Sequence, residues 1–312
     1  MATMAEPFVP APRDGVNASR VGVGDGRFPD VLAFLAARFP AVSDWPARLA
    51  RGDVLDAHGR PLAAGAPCRL GDHLWYWRDP PPEPAVPFDM PVLHQDEHLV
   101  AVDKPHFLPA IPGGRHLHET ALVRARRHTG IATLVPMHRL DRETAGVLVF
   151  IVRPQERDAY QALLRGRDVH KVYEAVAPWR AELASPQVAR HRIEKPPGAH
   201  FMQVRVAPGE PNAETQVEMI GRLGNDLAHY RLTPATGRTH QLRVQMEALG
   251  APLVNDRIYP RLMPEPPPGV APDWTKPLQL LAREFAFDDP VTGQRRMFTS
   301  GRTLELTTGL PR

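Results

Sequence analysis

Met137-His138-Arg139-Leu140-Asp141-Arg142-Glu143-Thr144-Ala145-Gly146 leads without a break into Val147-Leu148-Val149-Phe150-Ile151-Val152. The second half of this stretch is apolar and rich in β-branched residues, the pattern of a buried strand. The first half delivers His138, Arg139 and Asp141 to the edge of that core, where charge needs a partner or a task. One reading is structural: Arg139 and Asp141, two apart on an extended segment, point to the same side and can pair with each other. The other is catalytic, because groups so perturbed cluster at functional sites as well as in structural ion pairs.

Two later stretches bear on the choice. In His170-Lys171-Val172-Tyr173-Glu174-Ala175-Val176, alternation puts Lys171 and Tyr173 on one face of a strand. Thr236-Gly237-Arg238-Thr239-His240-Gln241-Leu242-Arg243-Val244-Gln245-Met246 runs into a helix that Gly250 closes. Arg238 and Arg243 are five apart and share no helical face, so two roles are more natural than one. In order and spacing the three stretches resemble the H-R-L-D-x-x-T-[SA]-G, K-x-Y-x-A-x-V and T-G-R-T-H-Q-[IL]-R-V-H elements of the RluA-type RNA pseudouridine synthases, and the resemblance extends over roughly residues 88 to 300.

That resemblance implies an α+β fold, with a central, mainly antiparallel mixed sheet flanked by helices and loops and a small αα-β RNA-binding-like domain before it. It implies Asp141 as the essential carboxylate, Arg243 as its cationic partner and Tyr173 against the target base. Arg139 would fill the space a flipped nucleotide vacates, and Arg238 would lie near the RNA backbone. His138, which also fixes the loop, Arg142, Lys171, His240 and Gln241 complete the expected RNA-contacting set. The chain departs from the pattern at Ala177-Pro178-Trp179, at Gln245 (usually His), and at Asn255 and Pro260 (usually Gly).

Composition narrows the class. The 312 residues suffice for two domains, and the longest apolar run falls far short of the roughly 20 residues a bilayer demands. The start of the chain lacks the basic and apolar regions of a signal peptide, so a cytoplasmic protein is expected. The single cysteine, Cys68, excludes an internal disulfide and reads as a small buried hydrophobe; the 14 histidines show no zinc spacing, so no metal is expected. The net charge is only +3, but between Arg115 and Arg142 six arginines and four histidines face two acids, a local field suited to a polyanion.

Taken in order, residues 1–26 read as a disordered tail. Residues 27–84 read as the small domain. It has a helix from Pro29 with Val31, Leu32, Phe34 and Leu35 on one face, a second helix capped by Ser43, and a hairpin about Ala57-His58-Gly59-Arg60. A strand at His73–Trp77 follows, whose Trp75 and Trp77 point into the core, the alternative being a stacking platform for bases. Asp79-Pro80-Pro81-Pro82-Glu83-Pro84 reads as a stiff polyproline linker, and residues 85–312 as the catalytic domain. Arg124, Arg126 and Arg127 fall on the polar side of a helix over 119–128, as phosphate contacts or a solvated face. A helix follows Pro154, and strands are expected at 187–193, 201–206, 215–220, 228–233, 278–287 and 296–299. Pro264–Pro272 reads as a surface insertion.

Chemistry completes the expectation. Making pseudouridine breaks the bond from the anomeric carbon to a ring nitrogen, turns the detached uracil and rejoins it through a ring carbon. The reaction is redox neutral and calls for no cofactor. It needs a carboxylate at the ribose, as glycoside chemistry does, and a nucleotide turned out of its stack at a cost of a few kcal/mol. Tyr173 would hold the ring and assist removal of the ring-carbon proton. A glycosylase using Asp141 with Glu143, or a non-catalytic RNA-binding factor, would be the alternatives. The expected partner is a ribosomal or transfer RNA, engaged by a monomer.

Overall fold

The computed structural model describes residues 8–24, 28–79, 82–198 and 203–307. The chain divides into two compact units, Met1–Pro81 and Pro82–Arg312.

In the first unit, strand β1 (Ser19–Gly22) is followed by helices α1 (Val31–Arg38) and α2 (Trp45–Ala50) and strands β2 (Val54–Leu55) and β3 (His73–Tyr76), with sheet order β1-β3-β2, all antiparallel. Three expectations change. β1 lies inside the stretch read as a disordered tail: Val21 and Val23 join the core while the backbone pairs with β3. Residues 1–7, 25 and 26 of that tail lie outside the described residues. The N-cap of α2 is Asp44 rather than Ser43, whereas α1 is capped by the Asp30 carboxylate, which accepts from Ala33 N–H at 2.8 Å. On β3, Leu74 and Tyr76 are buried and Trp75 is only half-buried, the reverse of the expected face. Cys68 is buried in this core.

The second unit is built on one large sheet. Its elements are β4 (Val92–Gln95), β5 (Leu99–Lys104), α3 (Ala121–Thr129), β6 (Val135–Pro136), β7 (Ala145–Ile151), α4 (Arg157–Gly166), β8 (Val169–Pro178), β9 (Gln187–Glu194), β10 (Arg205–Ala207), β11 (Ala213–Leu223), β12 (Leu227–Pro234), α5 (Gln241–Ala248), β13 (Leu280–Asp288) and β14 (Arg295–Thr299). The sheet runs β10-β9-β11-β12-β8-β13-β7-β5-β4, with β14 on β13 and β6 on β7. Every pairing is antiparallel except β7 with β13. This is the α+β, mainly antiparallel architecture the resemblance implied. β10 is shorter than expected, and Phe201 and Met202 lie outside the described residues. So do Pro80 and Pro81 of the polyproline stretch; Glu83 beyond them belongs to the second unit, its carboxylate accepting from the N–H groups of Leu117, His118 and Glu119. No helix among the described residues is long and apolar enough to cross a membrane.

β7 is apolar on both faces because both are covered. Leu148 and Phe150 pack with Ala121, Leu122 and Ala125 of α3 on one side, and Val147, Val149 and Ile151 pack with Tyr160 of α4 on the other. The arginines of α3 are less free than its polar face suggested. Arg126 is buried and donates to Leu134 C=O at 2.8 Å, while Arg124 holds the carbonyls of Val86 and Phe88 and the Glu119 carboxylate. These two serve the fold, their long stems reaching carbonyls that would otherwise be orphaned.

The glycine closing the opening motif has a physical reason. Gly146 sits at φ +113°, and a Cβ there would lie 2.2 Å from Ala282 C=O, the residue it faces across the parallel β7–β13 contact. Gly146→Ala is therefore expected to lower stability by at least about 2 to 3 kcal/mol through strain and overpacking. Gly221→Ala, with open space around its Cβ and no positive φ, should cost within about 0.5 kcal/mol. Urea midpoints of the two variants check this.

Candidate active site

β7 enters the sheet directly after the turn in which Thr144 N–H donates to Asp141 C=O at 3.1 Å. Buried Met137 and Leu140 anchor the approach to that turn. Its carbonyls are taken by side chains from elsewhere: Met137 C=O by Gln161 of α4 at 2.7 Å, Glu143 C=O by His106 at 2.7 Å, and Arg142 C=O by Lys104 at 3.2 Å. Lys104, fully buried at the end of β5, also donates to the carbonyls of Leu108 and Pro105. Burial lowers the Lys104 pKa to about 7 against the pull of Glu143 and Asp141, while three carbonyl acceptors favour the ammonium form. The loop carrying Asp141 is thus pinned from three elements.

Asp141 does not pair with Arg139. Its partner is Arg243, whose guanidinium donates to the Asp141 carboxylate at 3.2 Å. Arg243 lies on α5, almost wholly buried, and its other edge makes two bonds to Asp256, at 2.8 and 2.6 Å. Asp256, its side chain fully buried, further accepts from the N–H groups of Ile258 and Tyr259. Although burial alone would lower it, the Arg243 pKa is raised by the two carboxylates, so the cation is permanent.

The Asp141 carboxylate opens on a cleft of about 680 Å³ lined by Arg139, His138, Lys171, Tyr173, Arg238, His240, Gln241 and Arg243, so nine of the ten expected residues converge. Arg142 does not line it. Its guanidinium is held by Glu143 at 2.8 Å and by Glu265 of the proline-rich insertion at 3.2 Å, so its charge is engaged and the expected RNA contact is replaced by a structural one. Gln241 is buried with its amide fully used: its oxygen accepts from Thr236 Oγ1 and Arg238 N–H, and its nitrogen donates to Glu214 C=O and Thr215 Oγ1. No hydrogen-bonding capacity is left for RNA, and Gln241 instead holds the turn from which Arg238 projects.

His138 stacks on Phe285 at 4.3 Å and accepts from Val149 N–H, and burial lowers its pKa to about 3. A neutral imidazole so committed is a loop brace rather than a phosphate contact. His240 is buried, in the left-handed conformation before α5, with Nδ1 3.1 Å from the Tyr259 hydroxyl and Nε2 3.8 Å from the Asp141 carboxylate. It backs the carboxylate and does not face solvent. Tyr173 is half-buried on β8, and burial together with the charge of Asp141 raises its pKa, so the phenol stays protonated. That disfavours the expected proton-removing role and leaves the ring as the useful part. Lys171, on the same face, donates to Thr236 C=O at 3.3 Å, and burial lowers its pKa. Arg139 is exposed and makes no hydrogen bond or ion pair among the described residues; exposed Arg238 holds only Asn212 C=O, at 3.2 Å.

Two residues escaped the sequence reading. Asp256 lies in a loop 13 residues beyond Arg243 with no local pattern to mark it, and Lys104 precedes Pro105 with nothing local to give its role. The departures at Asn255 and Pro260 are accommodated: Asn255 takes φ +62°, which asparagine tolerates, and the Tyr259–Pro260 bond is cis. Gln245 is buried between Thr215 Oγ1 and Ala189 C=O.

Residues 98–248 match the family described as RNA pseudouridylate synthase. The chain is 30% identical to the dual-specificity RNA pseudouridine synthase RluA of Haemophilus influenzae over 71% of its own length and 95% of the relative's. It is 34% identical to the protein of that name from Escherichia coli O6:H1, over 58% and 80%. Its fold is similar to that of human RNA pseudouridylate synthase domain containing 1, with a TM-score of 0.56 over 70% of this chain and 86% of that one, at 18% identity. The pinned Asp141 loop, the strand bearing Tyr173 and the helix bearing Arg243 fall within the matched span, and the chain belongs to the RluA-type RNA pseudouridine synthase family.

Proposed function

We propose that this protein isomerises uridine to pseudouridine in a structured ribosomal or transfer RNA, with Asp141 as the essential carboxylate. The observation that carries the reading is that Asp141 is the one carboxylate among the described residues lining a cleft whose other charged residues are all cationic. Glu143, the second acid a two-carboxylate glycosylase would need, is buried, bonded to Arg142 and absent from the cleft wall.

In this reading a uridine turned out of its stack enters the cleft with its ribose at Asp141, and Arg139 occupies the vacated space. Negative charge at the anomeric carbon captures or stabilises the electron-poor centre left when the bond to the ring nitrogen breaks. Tyr173 lies against the detached uracil, limiting its motion to the turn that brings the ring carbon to the sugar. The new carbon–carbon bond forms, that carbon loses its hydrogen as a proton, and the ring nitrogen gains one, so the product is an isomer. Arg243 aims the carboxylate and Asp256 aims Arg243. No short motif encodes the choice between ribosomal and transfer RNA, so both classes are kept; mapping pseudouridines in cells with and without this protein separates them.

Asp141→Asn is expected to cut tritium release from RNA labelled at the uracil ring carbon by on the order of 10⁴-fold or more, with RNA binding retained. Near wild-type release by the variant, or release of free uracil by the wild type, overturns the assignment. Asp256→Asn should lower turnover on the order of 10²-fold by loosening Arg243, and lower stability by up to about 3 to 5 kcal/mol because a buried cation loses half its compensation. Single-turnover rates and urea midpoints read the two effects separately. Tyr173→Phe should retain most activity and Tyr173→Ala little, since the ring rather than the hydroxyl is used; equal loss in single-turnover assays of both returns the proton-transfer role to the phenol.

A further inference from the structure

The cleft carries more positive charge than the reaction needs. Arg139, Arg157, Arg165, Arg167, Lys171, Arg238 and Arg243 line it against Asp141 alone. Arg243 is matched by its two carboxylates, and Arg139, Lys171 and Arg238 surround the nucleotide already placed. The remaining three arginines come from α4 and the residue just after it. We propose that Arg157, Arg165 and Arg167 form a phosphate-binding wall for the RNA strand that continues past the flipped uridine, an inference that rests on the RNA reading of the Asp141 cleft.

The face of α4 is built for this. Arg157, Gln161, Leu164 and Arg165 stand at i, i+4, i+7 and i+8, so they make one stripe, and all four line the cleft. The adjoining side is anchored by buried Tyr160, whose hydroxyl donates to Asp289 at 3.0 Å. Gln161, in the middle of the stripe, donates to Met137 C=O at 2.7 Å and so ties the wall to the loop that holds Asp141. Phosphate contacts made here are held in fixed register with the carboxylate.

Helix stability accounts for only one of the three, Arg165, whose cation in the last turn suits the negative end of the dipole. Arg157 opens α4, where a cation opposes the positive end of the helix dipole and an anion would be attracted by both. Arg167 takes the left-handed conformation at the C-cap, φ +65°, a position at which glycine costs less. Arg157 and Arg167 are exposed, and their guanidinium groups make no hydrogen bond or ion pair among the described residues; Arg165 makes only an exposed pair with Asp158 at 3.0 Å, readily exchanged for a phosphate. From Arg157 to Arg165 the stripe spans about 12 Å at the α-helical rise per residue. That length exceeds a single phosphate and suits a strand.

The test is the salt dependence of binding to a fluorescein-labelled RNA stem-loop with uridines in its loop. In Arg157→Gln/Arg167→Gln the slope of log affinity against log salt should fall by about 0.7 to 0.9 for each lost contact, and affinity near 50 mM salt by about tenfold or more. Arg295→Gln, an exposed arginine on β14 absent from the cleft wall, should leave the slope unchanged. A double variant with wild-type slope and affinity overturns the wall, and so does an equal fall in Arg295→Gln, which would mark a general field rather than a site. If the slope falls as stated but the wild type isomerises no RNA, the wall stands and the catalytic reading fails.

Discussion

One buried guanidinium holds the site together. Arg243 is shared between Asp141, on the loop before β7, and Asp256, on the loop after α5, and it is far too buried to be solvated otherwise. A buried cation with one carboxylate is an expensive arrangement; with two, and with the second fixed by backbone N–H groups, the desolvation cost is offset and the geometry becomes rigid. Asp256 is the anchor, saturated with bonds and closed to solvent. Asp141 is the open end, with one bond to Arg243 and the remainder of its carboxylate facing the cleft. The asymmetry separates a carboxylate closed off by its bonds from one left open to the cleft.

The surrounding loop follows the same logic. Lys104, His106 and Gln161 each take a backbone carbonyl of the segment that presents Asp141, so the turn is set by side chains whose own positions come from the sheet and α4. Glu265 adds a tether from the proline-rich insertion, bonding Arg115 at 2.5 Å and Arg142 at 3.2 Å, while Trp274 packs edge-on to Phe107 at its far end. The insertion that looked like unassigned surface is fastened beside the motif it follows by more than a hundred residues.

What could be read in the sequence was what short-range periodicity encodes. β7 announced itself because six apolar residues in a row need cover on both faces, and Lys171 with Tyr173 because alternation is strict on a strand. Alternation does not say which face is inside, which is why Trp75 was misplaced: Leu74 and Tyr76 turn inward where the helices lie. β1 was missed because its pairing with β3 is a backbone matter, and only Val21 and Val23 mark it. Arg142 and Gln241 matched the family pattern by position, but their bonding is decided by Glu265, Glu214 and Thr215, partners set by the fold rather than by spacing. Asp256 was invisible for the same reason.

The parallel contact between β7 and β13 has a consequence for how the enzyme comes into being. Gly146 meets Ala282 there, and Arg243 reaches back 102 residues to Asp141. Neither closure can form locally, so each carries the loop-closure cost that makes long-range pairings late events in folding. On a ribosome, the motif at 137–146 emerges well before the strand and helix that complete it. A growing chain therefore displays an aspartate without its arginine and a strand without its neighbour.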